Sequence, residues 1–100
     1  MQMTKLKLVT IIAEAFLEER LLRELRQLGA KGYTIGEARG EGTRGIHASS
    51  WEGPNLRIET LVGPEMAEQI MRYVAEHYFA DYAVIMYSVD AEVLRGEKYL

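Results

Sequence analysis

The chain has no cysteine, which excludes disulfides and thiolate metal sites. Its only histidines, His47 and His77, stand far apart with no metal-ligand spacing, so both read as surface residues and no metal is expected. Basic residues are outnumbered: 12 Lys and Arg face 15 Asp and Glu, for a net charge of −3 and a pI near 5.4. A nucleic-acid binder needs a basic face, so nucleic acid is not an expected partner. No apolar run approaches the roughly 20 residues of a membrane helix, and Met1 to Lys5 lacks an apolar signal core. The expectation is a cytoplasmic protein without direct membrane insertion. Ser49 and Ser50 have no adjacent base, and no pair of carboxylates argues for acid–base work, so no catalytic residue is nominated and the chain does not read as an enzyme. Repeats, linkers and low-complexity tails are also missing.

What is present fits one domain over residues 1–100, with an ordinary 48% of hydrophobic residues. Lys5 to Ala13 is β-branched and increasingly apolar, as in a buried strand. Leu17, Leu21, Leu25 and Leu28 then fall four and three residues apart and make one helical stripe, with Glu19 and Arg23 spaced for an i,i+4 pair. Gly29 stops that helix. Tyr33 to Arg39 reads as a second strand in which Gly36 suggests a bulge or a close backbone approach. Asn55 to Val62 is a third strand, with Leu56, Ile58, Thr60 and Val62 on one face and Arg57 and Glu59 on the other. Gly63-Pro64-Glu65 starts a second helix with the stripe Met66, Ile70, Val74 and Tyr78, and Ala80-Asp81 breaks it. Tyr82 to Leu94 closes the series as a strand rich in Val, Ile and Tyr.

The order β-α-β-β-α-β is ferredoxin-like: an α+β fold with a four-stranded antiparallel sheet and both helices on one face. Several strands are apolar on both sides, as Val9, Ile11, Leu61, Val84 and Met86 illustrate. The face without helices therefore needs cover, and self-association is the expected source.

The connection from Gly40 to Pro54 is far longer than the 2–5 residues or so that a hairpin needs. It carries Gly40-Glu41-Gly42-Thr43-Arg44-Gly45, and it follows Gly29-Ala30-Lys31-Gly32-Tyr33-Thr34. Glycines that bare backbone N–H groups, with a hydroxyl and a guanidinium beside them, can cradle an anion; a flexible polar hairpin tip is the plainer alternative. Trp51, the single tryptophan, lies in this polar loop and either folds back on its own protein or anchors a partner. Tyr73, Tyr78 and Phe79 read as core or subunit contacts, and the glutamates mostly as solvated helix faces.

These segments, with Arg57-Ile58-Glu59, Tyr78-Phe79-Ala80-Asp81-Tyr82 and Ala91-Glu92-Val93-Leu94, make the chain resemble the PII-like signalling proteins over nearly its whole length. The Gly-x-Gly-Thr-Arg loop and the last two segments are similar to the carbon-associated branch, which includes the cyanobacterial regulator of a bicarbonate symporter and carboxysome-associated proteins. The resemblance implies a homotrimer with nucleotide clefts between subunits. It also implies a target-binding T-loop, here about residues 41–54. Gly32, Tyr33 and Thr34 would approach the adenine. Gly40, Gly42, Thr43 and Arg44 would hold phosphate, with Thr43 and Arg44 also meeting bicarbonate. Ala80, Asp81 and Tyr82 occupy the B-loop position and Arg95 the C-terminal cleft position. Trp51 would face the partner, a membrane bicarbonate transporter.

Departures narrow the reading. Ala80-Asp81-Tyr82-Ala83 lacks the glycine pair and lysine of nitrogen-sensing relatives, and the T-loop has no tyrosine to modify. Both point away from ATP and 2-oxoglutarate sensing. Fewer cations favour ADP or AMP over ATP, with cyclic AMP also open. Two other classes compete: a slow nucleotide phosphohydrolase on the same cleft, and an amino-acid-binding regulatory domain of the same topology. An RNA-recognition module fits least, because Arg57, Glu59 and Leu61 offer no stacking platform.

Overall fold

The structure, a computed structural model, describes residues 1–40 and 54–100. Its elements are strand β1 (Thr4–Glu14), a 3-10 turn (Ala15–Leu17), helix α1 (Glu18–Leu28), strand β2 (Thr34–Ala38), strand β3 (Asn55–Val62), helix α2 (Pro64–Tyr78), strand β4 (Ile85–Val93) and a closing 3-10 turn (Gly96–Tyr99). The strands form one antiparallel sheet in the order β2-β3-β1-β4. This is the ferredoxin-like architecture that the periodicities imply.

Pairing of Ile11 with Ile58 and Ala13 with Leu56 puts the apolar alternation of two strands in phase. Val9, Ile11, Ala13, Leu56, Ile58 and Val62 meet Leu17, Leu21 and Leu25 from the first helical segment. From α2 come Ala67, Ile70, Val74 and Tyr78. Each helix thus buries the stripe read from its leucine or Ile/Val spacing, and both stripes fall on the same side of the sheet. Gly29 ends α1 in the left-handed region (φ 114°), its N–H donating to the Arg26 and Leu25 carbonyls at 3.0 and 3.2 Å. A side chain there would be strained by that φ and would also strike the Met66 methyl, 2.7 Å from an ideal Cβ.

Three expectations change, for Gly36, for the start of the last strand and for the ion pair on α1. Gly36 forms no bulge: it pairs with Arg57 in an unbroken register, and a Cβ on it would meet nothing within 4 Å. The last strand begins at Ile85 and ends at Val93, because Tyr82 is held in the turn after α2, its N–H donating to the Tyr78 carbonyl at 3.0 Å. On α1 the ion pair joins Arg20 to Glu24 (3.6 Å) in place of Glu19 and Arg23. Of the three aromatics read as core or subunit contacts, Tyr78 is fully buried in the core, Tyr73 is half-buried and Phe79 is exposed.

The face without helices carries Leu8 and Ile12 of β1, Leu61 of β3, and Ile85, Tyr87 and Val89 of β4, which the register places side by side. Ile85, Tyr87 and Val89 are 56, 44 and 48% exposed.

Candidate functional site

Thr34 opens β2 and pairs with Glu59, so both lie on the bare face. The backbone just before it is fixed by Thr60, whose hydroxyl donates to the Gly32 carbonyl at 2.6 Å. Tyr33 points the other way, toward the core cluster. Its hydroxyl accepts a hydrogen bond from Arg26 Nη2 at 3.0 Å, and that guanidinium lies 5.5 Å from the ring centre. Among the described residues nothing lies within 4 Å of where a Cβ would sit on Gly32 or Gly40. Gly40 follows the far end of β2, about 20 Å from Thr34 at a strand's rise per residue.

The turn after α2 carries Ala80, Asp81 and Tyr82. It is held from several sides. Asp81 and Tyr82 donate their N–H groups to the Tyr78 carbonyl at 3.2 and 3.0 Å. The Tyr82 ring lies edge-on to Phe16 (6.0 Å between centres) and tilted against Tyr78 (5.8 Å). Arg20 spans both tyrosines, its guanidinium 4.3 Å from the Tyr78 ring centre and 6.0 Å from that of Tyr82. Ala83 N–H donates to Glu14 Oε1 at 3.3 Å.

Beneath that turn, Glu24 joins the two helices. It accepts hydrogen bonds from the hydroxyls of Tyr73 (2.6 Å) and Tyr78. Burial acts to raise the Glu24 pKa, but the two tyrosine bonds and the Arg20 charge outweigh it and hold the carboxyl below its ordinary range. Tyr78 moves the other way: burial, then the bond to Glu24, push its hydroxyl well above the usual tyrosine range.

Arg95 is exposed and takes a left-handed conformation (φ 58°) just beyond β4. The following Gly96 is packed so closely on Thr4 that a side chain there would overlap it. Gly42, Thr43, Arg44 and Trp51 lie outside the described residues.

The assigned positions therefore fall in two groups. Thr34 opens β2, one edge of the sheet, and Gly32, Tyr33 and Gly40 flank that strand, whereas Ala80, Asp81, Tyr82 and Arg95 flank β4, the other edge. Three strand spacings, about 14 Å, separate those edges. None of these residues lines a separate cleft of about 520 Å³ between the end of α1 and the start of α2, walled by Gly29, Lys31, Gly63, Met66, Tyr99 and Leu100. Sequence reading missed Glu14 and Glu24. Both read as solvated carboxylates, yet Glu14 is fully buried and Glu24 is half-buried. The available signal for Glu14 was its position at the end of an otherwise apolar run, Ile11-Ile12-Ala13.

A βαββαβ chain with a four-stranded antiparallel sheet, both helices on one face and a bare apolar face on the other, defines the ferredoxin-like fold class. The family model for the nitrogen regulatory protein P-II matches residues 6–98, and the chain belongs to that family. A crystal structure described as a PII-like signalling protein from Thermus thermophilus is 55% identical over the full length of both chains, with a TM-score of 0.87. CPII from Thiomonas intermedia, solved bound to ADP and bicarbonate, is 24% identical, covering 99% of this chain and 98% of its own, with a TM-score of 0.84. A second CPII structure, bound to ADP, AMP and bicarbonate, is 23% identical, with coverage of 98% and 100% and a TM-score of 0.81. At that identity the CPII structures share the fold with this chain.

Proposed function

We propose that the chain is a homotrimeric sensor of adenine nucleotides, ADP and AMP above all. In this reading it also responds to bicarbonate, and it regulates inorganic-carbon uptake through the long β2–β3 loop. The observation that carries this reading is the division of the assigned residues between opposite edges of one sheet. One chain cannot bring them together, but a neighbour laid against the bare face can bring its β4 edge to this chain's β2 edge. The exposed Ile85, Tyr87 and Val89 supply the apolar surface for that contact. CPII, of the same fold, is bound to ADP, AMP and bicarbonate, which supports the choice of ligands.

In the assembled cleft, Thr34 and the pinned Gly32 backbone meet the base, and Arg44 with the loop glycines meets phosphate. Arg44 and Thr43 also take a carbonate-sized anion where a further phosphate would otherwise sit. The turn Ala80-Asp81-Tyr82 brings no cation of its own, which keeps ADP and AMP ahead of ATP. Among the described residues no helix is long and apolar enough to cross a membrane; in this reading a membrane transporter is a partner that the loop contacts. Calorimetric titration with AMP, ADP, ATP and cyclic AMP, with and without bicarbonate, tests the reading. The expected result is binding of ADP and AMP strengthened by bicarbonate, and competition between bicarbonate and ATP. Absence of heat with every nucleotide rejects it.

A further inference from the structure

The cleft between the end of α1 and the start of α2 is lined by none of the positions assigned to nucleotide. Its volume, about 520 Å³, lies within the range of small-molecule sites, roughly 300–1,000 Å³. Two glycines shape its floor. Gly29 lets the Met66 side chain reach across from α2, since an ideal Cβ there would stand 2.7 Å from the Met66 methyl. Gly63 lets Leu100 in on the third side, where a Cβ would stand 3.3 Å from Leu100 Cδ2. Buried Val62 completes an apolar floor.

The polar groups around that floor carry both signs. Lys31 stands just past α1, and Glu65 lies in the first turn of α2. Neither has an ion pair or hydrogen bond among the described residues, and neither has Gln69, one turn further along α2. The complement of this arrangement is a zwitterion with an apolar body. Its carboxylate meets Lys31, its ammonium meets Glu65 and the Gln69 carbonyl, and its side chain lies on Val62, Met66 and Leu100. A simple fatty carboxylate satisfies Lys31 but meets Glu65 with like charge, and a simple amine has the opposite conflict. Met66 is the adaptable part of the floor, because an unbranched thioether fits side chains of differing shape.

We propose that this cleft is a second ligand site, which takes a free α-amino acid with a large apolar side chain, such as leucine or phenylalanine. The site lies within one chain and does not depend on the nucleotide reading.

Titration of the full-length protein with L-leucine and L-phenylalanine, followed by amide NMR and calorimetry, tests the site. Shifts should be confined to Gly29, Lys31, Gly63, Glu65, Met66 and their neighbours, with one ligand bound per chain. Leucinamide lacks the carboxylate and isocaproate lacks the ammonium. Each should bind at least about tenfold more weakly than leucine, the loss of one charge-assisted contact. Lys31→Gln and Glu65→Gln change exposed positions, so circular dichroism and melting should match wild type. Each variant should bind leucine about tenfold more weakly. Lys31→Gln should not weaken leucinamide any further, whereas a merely structural effect would weaken both ligands. The absence of any shift with either amino acid at millimolar concentration overturns the proposal. So does a response spread over the sheet instead of the cleft. Equal affinity for leucine, its amide and isocaproate overturns it as well, because the cleft would then be apolar surface without charge recognition. Failure of adenine nucleotides to bind rejects the functional reading alone, and failure of both amino acids rejects this site alone.

Discussion

The two faces of the sheet are built from the same residue types but are left in different states. On the helix side, Val9, Ile11, Ile58 and Val62 are at most 1% exposed, because α1 and α2 lay their stripes on them. On the other side Ile85, Tyr87 and Val89 are of comparable apolarity and about half exposed. A sheet places β-branched and aromatic residues along a whole face when something covers it. The difference therefore separates what one chain finishes by itself from what it leaves to a neighbour, and the proposed ligand cleft lies on the unfinished side.

The sharpest way to break this comparison is a charge on the bare face. Val89→Asp should abolish self-association altogether, because a buried, unpaired carboxylate costs several kcal/mol in each subunit. Light scattering should give the mass of one chain, and circular dichroism should still show the helices; a mutant that remains a trimer removes the role assigned to this face. On the covered face, Ile70→Ala should lower unfolding stability by about 2–5 kcal/mol through cavity formation. Denaturant titration measures that loss, and association should survive in native buffer. A smaller effect is expected in the cleft that the bare face would complete. Arg44→Ala removes a charge-assisted contact of roughly 1.5–3 kcal/mol, about ten- to a hundredfold in ADP affinity. Calorimetry showing equal affinity rejects the assignment. Gly29→Ala lies away from both faces and should cost about 1–2 kcal/mol through its left-handed backbone, with nucleotide binding unaltered.

The smallest expected effect comes from pH. Glu24 has a folded-state pKa below its unfolded value, so its charge stabilises the fold above the ordinary glutamate range. That contribution is lost as pH falls through and below that range. Melting temperatures of wild type and Glu24→Gln should differ at neutral pH and converge as the solution is acidified past the ordinary glutamate pKa of about 4.3. A gap that is constant with pH would mean that the Arg20–Glu24–Tyr78 cluster holds the helices by shape alone.

Element order, both helical stripes and the stop at Gly29 were legible from spacing alone, since periods of two and of three to four residues follow from backbone geometry. The need for cover on a second face was legible too, from strands that are apolar on both sides. Other features were not. Tyr82 reads as strand by propensity, and its N–H bond to the Tyr78 carbonyl, with the packing of Phe16, Tyr78 and Arg20 around its ring, keeps it in a turn. Gly36 reads as a bulge or a close backbone approach, and only the register with Arg57 shows a regular ladder.

Fold and family were settled by the linear chain, because hydrophobic periodicity and a run of local motifs are written residue by residue. Which residues meet was a matter for the folded molecule. Glu14 and Ala83, Ala15 and Pro54, and Glu24 and Tyr78 are each far apart in the chain and are joined only once the sheet order is fixed. The same order places the Thr34 and Tyr82 groups on opposite edges, a separation no linear reading contains, because strand order is settled by which apolar faces can be buried together.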